Sequence, residues 1–214
     1  MKVGVLASGS GTNLQALIDA GSRGEMGPAH VVVVGANVPG CGALERATQA
    51  GIPTFVRSHK DFANREDFDH ALLDELRRHG VGLLALAGFM RILTPALLDA
   101  FPHRVVNIHP ALLPCFPGVR AQKQAFDYGV RFSGCTVHFV DAGTDTGPVI
   151  AQAVVPVLDD DDEEMLRVRI LAEEHRLYPA VIRAIAENRV SVDGRRVRVR
   201  GTPAGLSDSR LRSL

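Results

Sequence analysis

The sequence predicts an α/β fold: a doubly wound, mostly parallel sheet with helices on both faces and a C-terminal hairpin. Two observations carry that expectation. Short apolar or β-branched runs alternate with longer amphipathic ones, which is the pattern of successive β-α-β units with buried strands. Near the end, Val190-Ser191-Val192 and Val197-Arg198-Val199 flank Asp193-Gly194, a signal for two strands joined by a tight turn.

Val3 to Ala7 reads as a first buried strand. Thr12 to about Ser22 follows as a helix, with Leu14, Leu17 and Ile18 on one face. Val31 to Ala36 is a second strand, and Cys41 to Ala50 a helix closed by Gly51. After Thr54-Phe55-Val56, residues Arg65 to Arg78 place Phe68, Leu72, Leu73 and Leu76 on one helical face, and Leu83 to Ala87 forms the next strand. Val105 to Ile108 is a fifth strand, ended by Pro110, which cannot donate to a ladder. Prolines restrict the loop from Pro110 to Gly118. Thr136 to Val140 and Val149 to Val157 are two further strands, joined by the glycine-framed segment Asp141 to Gly147. The acidic run Asp159 to Glu164 then opens a helix whose apolar positions are Met165, Val168, Leu171, Leu177 and Ile182, its charges favouring the macrodipole. In the hairpin, arginines alternating with valines read as the wet face of an edge element rather than a nucleic-acid surface.

With 214 residues, 46% hydrophobic and 22% charged, the chain is expected to form one domain over 1–200 with a polar, flexible tail over 201–214. Lys plus Arg equal Asp plus Glu at 24 each, so no net field draws the protein to nucleic acid or an anionic membrane, and a small-molecule partner is expected. Cys41, Cys115 and Cys135 are scattered and lack a CxxC pair, which points to a reducing compartment. Met1 leads directly into the first strand and a glycine-rich turn, leaving no room for a signal peptide, and no apolar run approaches the ~20 residues that span a bilayer. A cytoplasmic location is the expectation.

Three places carry candidate chemistry. Ser8-Gly9-Ser10-Gly11-Thr12-Asn13 ends a strand and opens a helix, where backbone N–H groups and the dipole favour an anion. Leu14 stands where a dinucleotide fingerprint has its third glycine, and no phosphate-loop lysine is present; the segment is either an anion loop or a tight turn. Asn107 and His109 lie at the carboxyl end of a strand, where open α/β sheets place their crevices, and residues two apart on a strand project to the same side. Together an amide and an imidazolium can hold a developing oxyanion. Asp145, in the glycine-framed junction, would favour the charged imidazole. The remaining histidines lack a metal-ligand spacing, and no GxSxG elbow occurs.

Several runs together resemble the phosphoribosylglycinamide formyltransferase family. They are Leu6-Ala7-Ser8-Gly9-Ser10-Gly11-Thr12-Asn13-Leu14-Gln15-Ala16, Leu86-Ala87-Gly88-Phe89-Met90-Arg91-Ile92-Leu93 and Asn107-Ile108-His109-Pro110-Ala111-Leu112-Leu113-Pro114. Thr136-Val137-His138-Phe139-Val140, Asp145-Thr146-Gly147-Pro148-Val149-Ile150 and Glu174-His175-Arg176-Leu177-Tyr178-Pro179 continue the match in order, to about Val190. The resemblance implies a Rossmann-like fold. It also implies transfer of the formyl group of 10-formyltetrahydrofolate, a co-substrate, to the amine of 5-phosphoribosylglycinamide in de novo purine biosynthesis, with no metal. By the same resemblance, Asn107, His109 and Asp145 are the catalytic three, and Gly11, Thr12, Asn13 and Glu174 bind phosphoribosylglycinamide. Arg65, Met90, Arg91, Ile92, Leu93 and Asn107 are implied to bind the folate, with Asp141, Ala142, Gly143, Thr144 and Asp145 enclosing its pterin-like end.

Cys115, Arg120 and Gln122 depart from the family pattern, which bears on local substrate contacts. Two relatives share the catalytic pattern: formyltetrahydrofolate deformylase carries an added N-terminal domain, and methionyl-tRNA formyltransferase an added C-terminal one. The chain's start at the first strand, its short C-terminal extension and its neutral charge disfavour both. A non-catalytic module holding a nucleotide-like phosphate on the Ser8 to Asn13 loop is the remaining alternative. The oligomeric state is left open, a homo-oligomer included.

Overall fold

A computed structural model describes residues 1–201, so the expected tail lies, beyond Gly201, outside the described residues. Seven strands form the main sheet and two more a hairpin, in the α/β class the sequence predicts. The chain divides into two compact units, Met1–Asn107 and Ile108–Leu214.

In the first unit, strands β1 (Lys2–Ala7), β2 (His30–Ala36), β3 (Thr54–Val56), β4 (Leu83–Leu86) and β5 (Val105–His109, the last two residues beyond the division) run in the order β3-β2-β1-β4-β5. All their pairings are parallel. The chain winds outward from β1 to β3, then returns to continue at β4 on β1's other side. With right-handed crossovers, that reversal puts α1 (Thr12–Ser22) and α2 (Gly42–Gln49) on one face and α3 (Arg65–Arg78) on the other. Consistent with this, α1 and α2 pack on each other and on β2. The carboxyl ends of β1 and β4 flank the reversal, which is where sheets of this kind open a crevice.

Helix α3 buries Phe68, Leu72, Leu73 and Leu76, the face the spacing predicts, and is capped by Asn64, whose side chain accepts from the Asp67 N–H at 2.8 Å. It packs on α4 (Pro95–Ala100), a helix the apolar pattern does not reveal because its six residues bury only Leu97. Its signature is local: Thr94 at the N-cap and Pro95 at the first position, whose missing N–H costs nothing there. Asp69 of α3 is buried and accepts a hydrogen bond from the Thr94 N–H at 2.5 Å, tying the two helices.

The second unit holds α5 (Ala121–Tyr128), β6 (Phe132–Phe139), β7 (Val149–Pro156), α6 (Glu163–Ala186) and the hairpin β8 (Val190–Asp193) and β9 (Arg196–Val199). The connection between β6 and β7 is too short for a crossover, and the two pair antiparallel. Strand β6 starts at Phe132 rather than Thr136, because Ser133-Gly134 reads locally as a turn but is carried in the ladder.

Helix α6 is capped by Asp162, whose carboxylate accepts from the Met165 N–H at 2.7 Å, with Glu163 and Glu164 in the first turn. Its buried stripe differs from the expected one. Met165 and Val168 are exposed and Leu171 half-buried, Leu177 and Ile182 are buried as expected, and Leu166, Ile170, Glu174 and Val181 are further inward positions. A carboxylate in the middle of the apolar stripe disguises it in the sequence. The hairpin turn is also displaced by one residue: Asp193 pairs with Arg196, leaving Gly194 (φ 57°) and Arg195 as the loop, the arrangement of a turn with glycine first. Among the described residues, no helix is long and apolar enough to cross a membrane.

Candidate active site

In the first unit, the segment after β1 is held against the start of α2. The Ala43 N–H donates to the Gly9 carbonyl at 3.1 Å, and Arg46 Nε donates to the Ser10 carbonyl at 2.8 Å. Gly11 takes φ 73°, and a Cβ on it would sit 2.6 Å from Ala43 Cα, so neither the conformation nor the space admits another residue. Gly11 is the N-cap of α1 and supplies no side-chain bond, so Thr12 and Asn13 open an eleven-residue helix without a built-in acceptor. A helix N-terminus of this kind can accept an anion.

Across the reversal, the segment after β4 is pinned to the same place. The Met90 N–H donates to Ser8 Oγ at 2.9 Å, Ser8 Oγ donates to Asn37 Oδ1 at 2.6 Å, and the Ser8 N–H donates to the Gly88 carbonyl at 3.1 Å. Sequence reading missed Ser8 and Asn37 in this role; no local pattern marks a hydroxyl that bridges two strand ends. Within the segment, Met90 and Ile92 are exposed, Leu93 is buried and Arg91 half-buried. Arg65 begins α3 and is exposed, and Asn107 is half-buried near the end of β5.

His109, two residues further on β5, is only 4% exposed. Its Nδ1 lies 3.3 Å from Asp145 Oδ2, so the structure joins this pair as the sequence implies. Its Nε2 is 2.9 Å from the Phe116 carbonyl; because a carbonyl only accepts, Nε2 carries a proton and donates. Asp145 also accepts from the Gly118 N–H at 2.8 Å, and its other oxygen is 3.6 Å from His138 Nε2. His138 is a site neighbour that sequence reading set aside. The strand alternation of Thr136 and His138 was visible, but its meeting with Asp145 depends on the path of the 141–147 loop.

The charges settle differently from the sequence expectation. Burial acts to raise the Asp145 pKa, but His138, the Gly118 N–H and His109 outweigh it and hold the carboxyl below its ordinary value. For His109, burial is the largest influence and lowers the pKa. The Phe116 carbonyl and the Asp145 charge pull it up and His138 pulls it down, so the imidazole titrates below its ordinary range. The sequence argument counted Asp145 alone; desolvation of the ring is a property of the fold. Asp145 holds φ 55°, the left-handed region, which aims its carboxylate back toward β6.

The loop carrying Asp145 is knit internally. Asp141 Oδ1 accepts from the Gly143 N–H at 3.1 Å and from Thr146 Oγ1 at 2.6 Å, while Ala142, Gly143 and Thr144 are exposed. Glu174 is 4% exposed in the inward stripe of α6. Of the candidate substrate residues, Gly11, Thr12 and Asn13 belong to the first unit and Glu174 to the second. Cys115 and Arg120, two of the three departures, are exposed, and Arg120 takes φ 58° ahead of α5.

Comparison with known proteins identifies the family. The trifunctional purine biosynthetic protein adenosine-3 of Drosophila melanogaster is 53% identical over 182 residues, 85% of this chain but only 14% of that protein. The chain therefore spans about a seventh of that relative's length. A phosphoribosylglycinamide formyltransferase of Mycobacterium tuberculosis is 48% identical over 191 residues, 89% of this chain and 87% of that one. The crystal structure of glycinamide ribonucleotide transformylase 1 from Symbiobacterium toebii superposes with a TM-score of 0.91 at 51% identity, covering 93% of each chain. The family model described as formyl transferase matches residues 1–182, and the chain belongs to that family.

Proposed function

We propose that this chain is a phosphoribosylglycinamide formyltransferase, a single catalytic domain over 1–200 acting in the cytoplasm. It transfers the formyl group of 10-formyltetrahydrofolate to the amine of 5-phosphoribosylglycinamide, yielding formylglycinamide ribonucleotide and tetrahydrofolate. The observation that carries the reading is the buried His109–Asp145 pair, 3.3 Å apart, at the end of the strand that bears Asn107. The similarity to full-length relatives that carry this name supports the choice of substrates.

In this mechanism the amine nitrogen attacks the formyl carbon, giving a tetrahedral species with a negative oxygen and a positive nitrogen. The Asn107 amide and the His109 imidazole stabilise the oxygen. In the free chain the Nε2–H is donated to the Phe116 carbonyl, so the imidazole must exchange that acceptor for the substrate oxygen, and negative charge growing beside the ring favours uptake of a second proton. Asp145 holds that imidazole and, through water, passes the proton from the attacking nitrogen to the departing folate nitrogen as the old C–N bond breaks. Gly11, Thr12 and Asn13 take the substrate phosphate and Glu174 its ribose. Arg65 and the Met90–Leu93 segment are assigned to the folate, and Asp141–Asp145 to its pterin-like end, by family resemblance.

The test is an absorbance assay for tetrahydrofolate release with and without the amine substrate. Release that depends on the amine is expected, with Asn107→Ala and His109→Ala each ~10²–10³ slower and still folded. Release without the amine would make the chain a deformylase, and no release would make it a binding module. Near-normal turnover in either variant would remove these residues from the mechanism.

A further inference from the structure

The C-terminal hairpin reaches the loop that carries Asp145. Arg195, the second residue of the hairpin's two-residue turn, donates from Nη2 to the Thr146 carbonyl at 2.9 Å, a contact across 49 positions of sequence. Thr146 follows Asp145 directly, so the bonded carbonyl belongs to the Thr146–Gly147 peptide, one peptide unit beyond the one that joins Asp145 to Thr146.

The hairpin is held firmly enough for this contact to matter. Strand β9 packs on β7, the strand into which the Asp145 loop leads. At the open end, the Arg200 N–H donates to the Arg189 carbonyl at 2.8 Å, Arg200 Nη2 to the Asn188 carbonyl at 3.0 Å, and Arg189 Nη1 to the Arg200 carbonyl at 3.2 Å. Arg189 is itself paired to Glu187 at 2.7 Å, and Glu187 to Arg183 of α6 at the same distance. The tip is thus the end of a braced arm.

The loop, for its part, is held at several points. Asp141 ties Gly143 and Thr146 together within the loop, and Gly118 holds the Asp145 carboxylate. The Arg195 bond adds a hold on the Thr146–Gly147 peptide, just beyond Asp145 and its left-handed backbone. Arg195, Arg196 and Arg198 are all exposed, and Arg195 reaches this carbonyl from the surface.

We propose that Arg195 is a positioning residue for formyl transfer: it clasps the Asp145 loop through the Thr146 carbonyl and thereby sets the carboxylate against His109. The inference rests on the catalytic reading of Asp145. It predicts that Arg195→Ala lowers kcat about three- to tenfold, the scale of one ordinary hydrogen bond at a solvent-exposed contact, and raises the folate KM. The KM for the amine and the melting temperature stay as they are, and Arg195→Lys, which keeps a cationic donor, regains most of the rate. A hairpin that mattered only for folding would lower the melting temperature and the active fraction, leaving both KM values unchanged.

The deciding experiment places Arg195→Ala in the native chain and in Asp145→Asn. If Arg195 acts through Asp145, its loss slows the native enzyme but slows Asp145→Asn by less than about twofold. Equal losses in both backgrounds, or none in the native chain, would overturn the clasp while leaving Asp145 catalytic. Near-normal turnover of Asp145→Asn itself would overturn the clasp together with the reading beneath it.

Discussion

At the scale of single residues, His109 shows how burial and partners compete. Both ring nitrogens face acceptors, the Phe116 carbonyl and Asp145, which favours the imidazolium; desolvation of a ring that is 4% exposed favours the neutral form and prevails. An NMR titration of the His109 ring should therefore give a midpoint below the ordinary 6.5, and Asp145→Asn should move it lower still by removing an upward pull. A midpoint above 6.5 in the native chain would mean that the carboxylate dominates after all. What the sequence displayed here was the pairing; the sign of the net shift was hidden in the depth of the site. His138 and Ser8 were missed for a related reason, since each acquires its role from a partner brought close by chain folding.

Elements whose own apolar spacing specifies them were legible almost to the residue, as with α1, α3, β1 and β2. Those specified by their surroundings were not. Helix α4 buries one side chain and α5 only two alanines, too little to raise a periodic signal. Helix α6 was legible as a helix but misaligned, because Glu174 interrupts its inward stripe; a charge at a core position is a mark of function that looks, in sequence, like a surface residue. The tie between α3 and α4 belongs to this scale. Asp69→Ala would leave the Thr94 N–H without its buried acceptor, so a loss of about 1–3 kcal/mol is expected in urea denaturation. Asp69→Asn keeps an acceptor oxygen and avoids the burial that raises this carboxyl's pKa, so it should lose less. Equal stability in both variants would show that the tie contributes nothing.

For the molecule as a whole, acid should be destabilising, and two site groups give it a definite shape. The unfolded chain binds a proton at His109 near the ordinary 6.5 while the folded chain resists it, so stability falls as pH drops through 6.5 toward the lowered folded value. Asp145 adds stability that is present above its unfolded value of 3.8 and lost as pH falls through its depressed folded value. Urea midpoints compared between about pH 7 and pH 5 should decline in the native chain and decline less in His109→Gln. Parallel declines would assign the acid sensitivity to other groups. The balance of 24 basic and 24 acidic residues gives no large net charge to mask these local contributions near neutrality.

The left-handed backbone at Asp145 governs how its chemistry can be measured at all. Alanine is the wrong replacement there, since it deletes the carboxylate and also meets the ~1–2 kcal/mol steric penalty of that conformation. Asparagine tolerates the conformation and glycine adopts it freely, so both remove the charge while respecting the backbone. Agreement between those two variants isolates the electrostatic role, and any additional defect in alanine measures how far the loop's shape, rather than its charge, belongs to the catalyst.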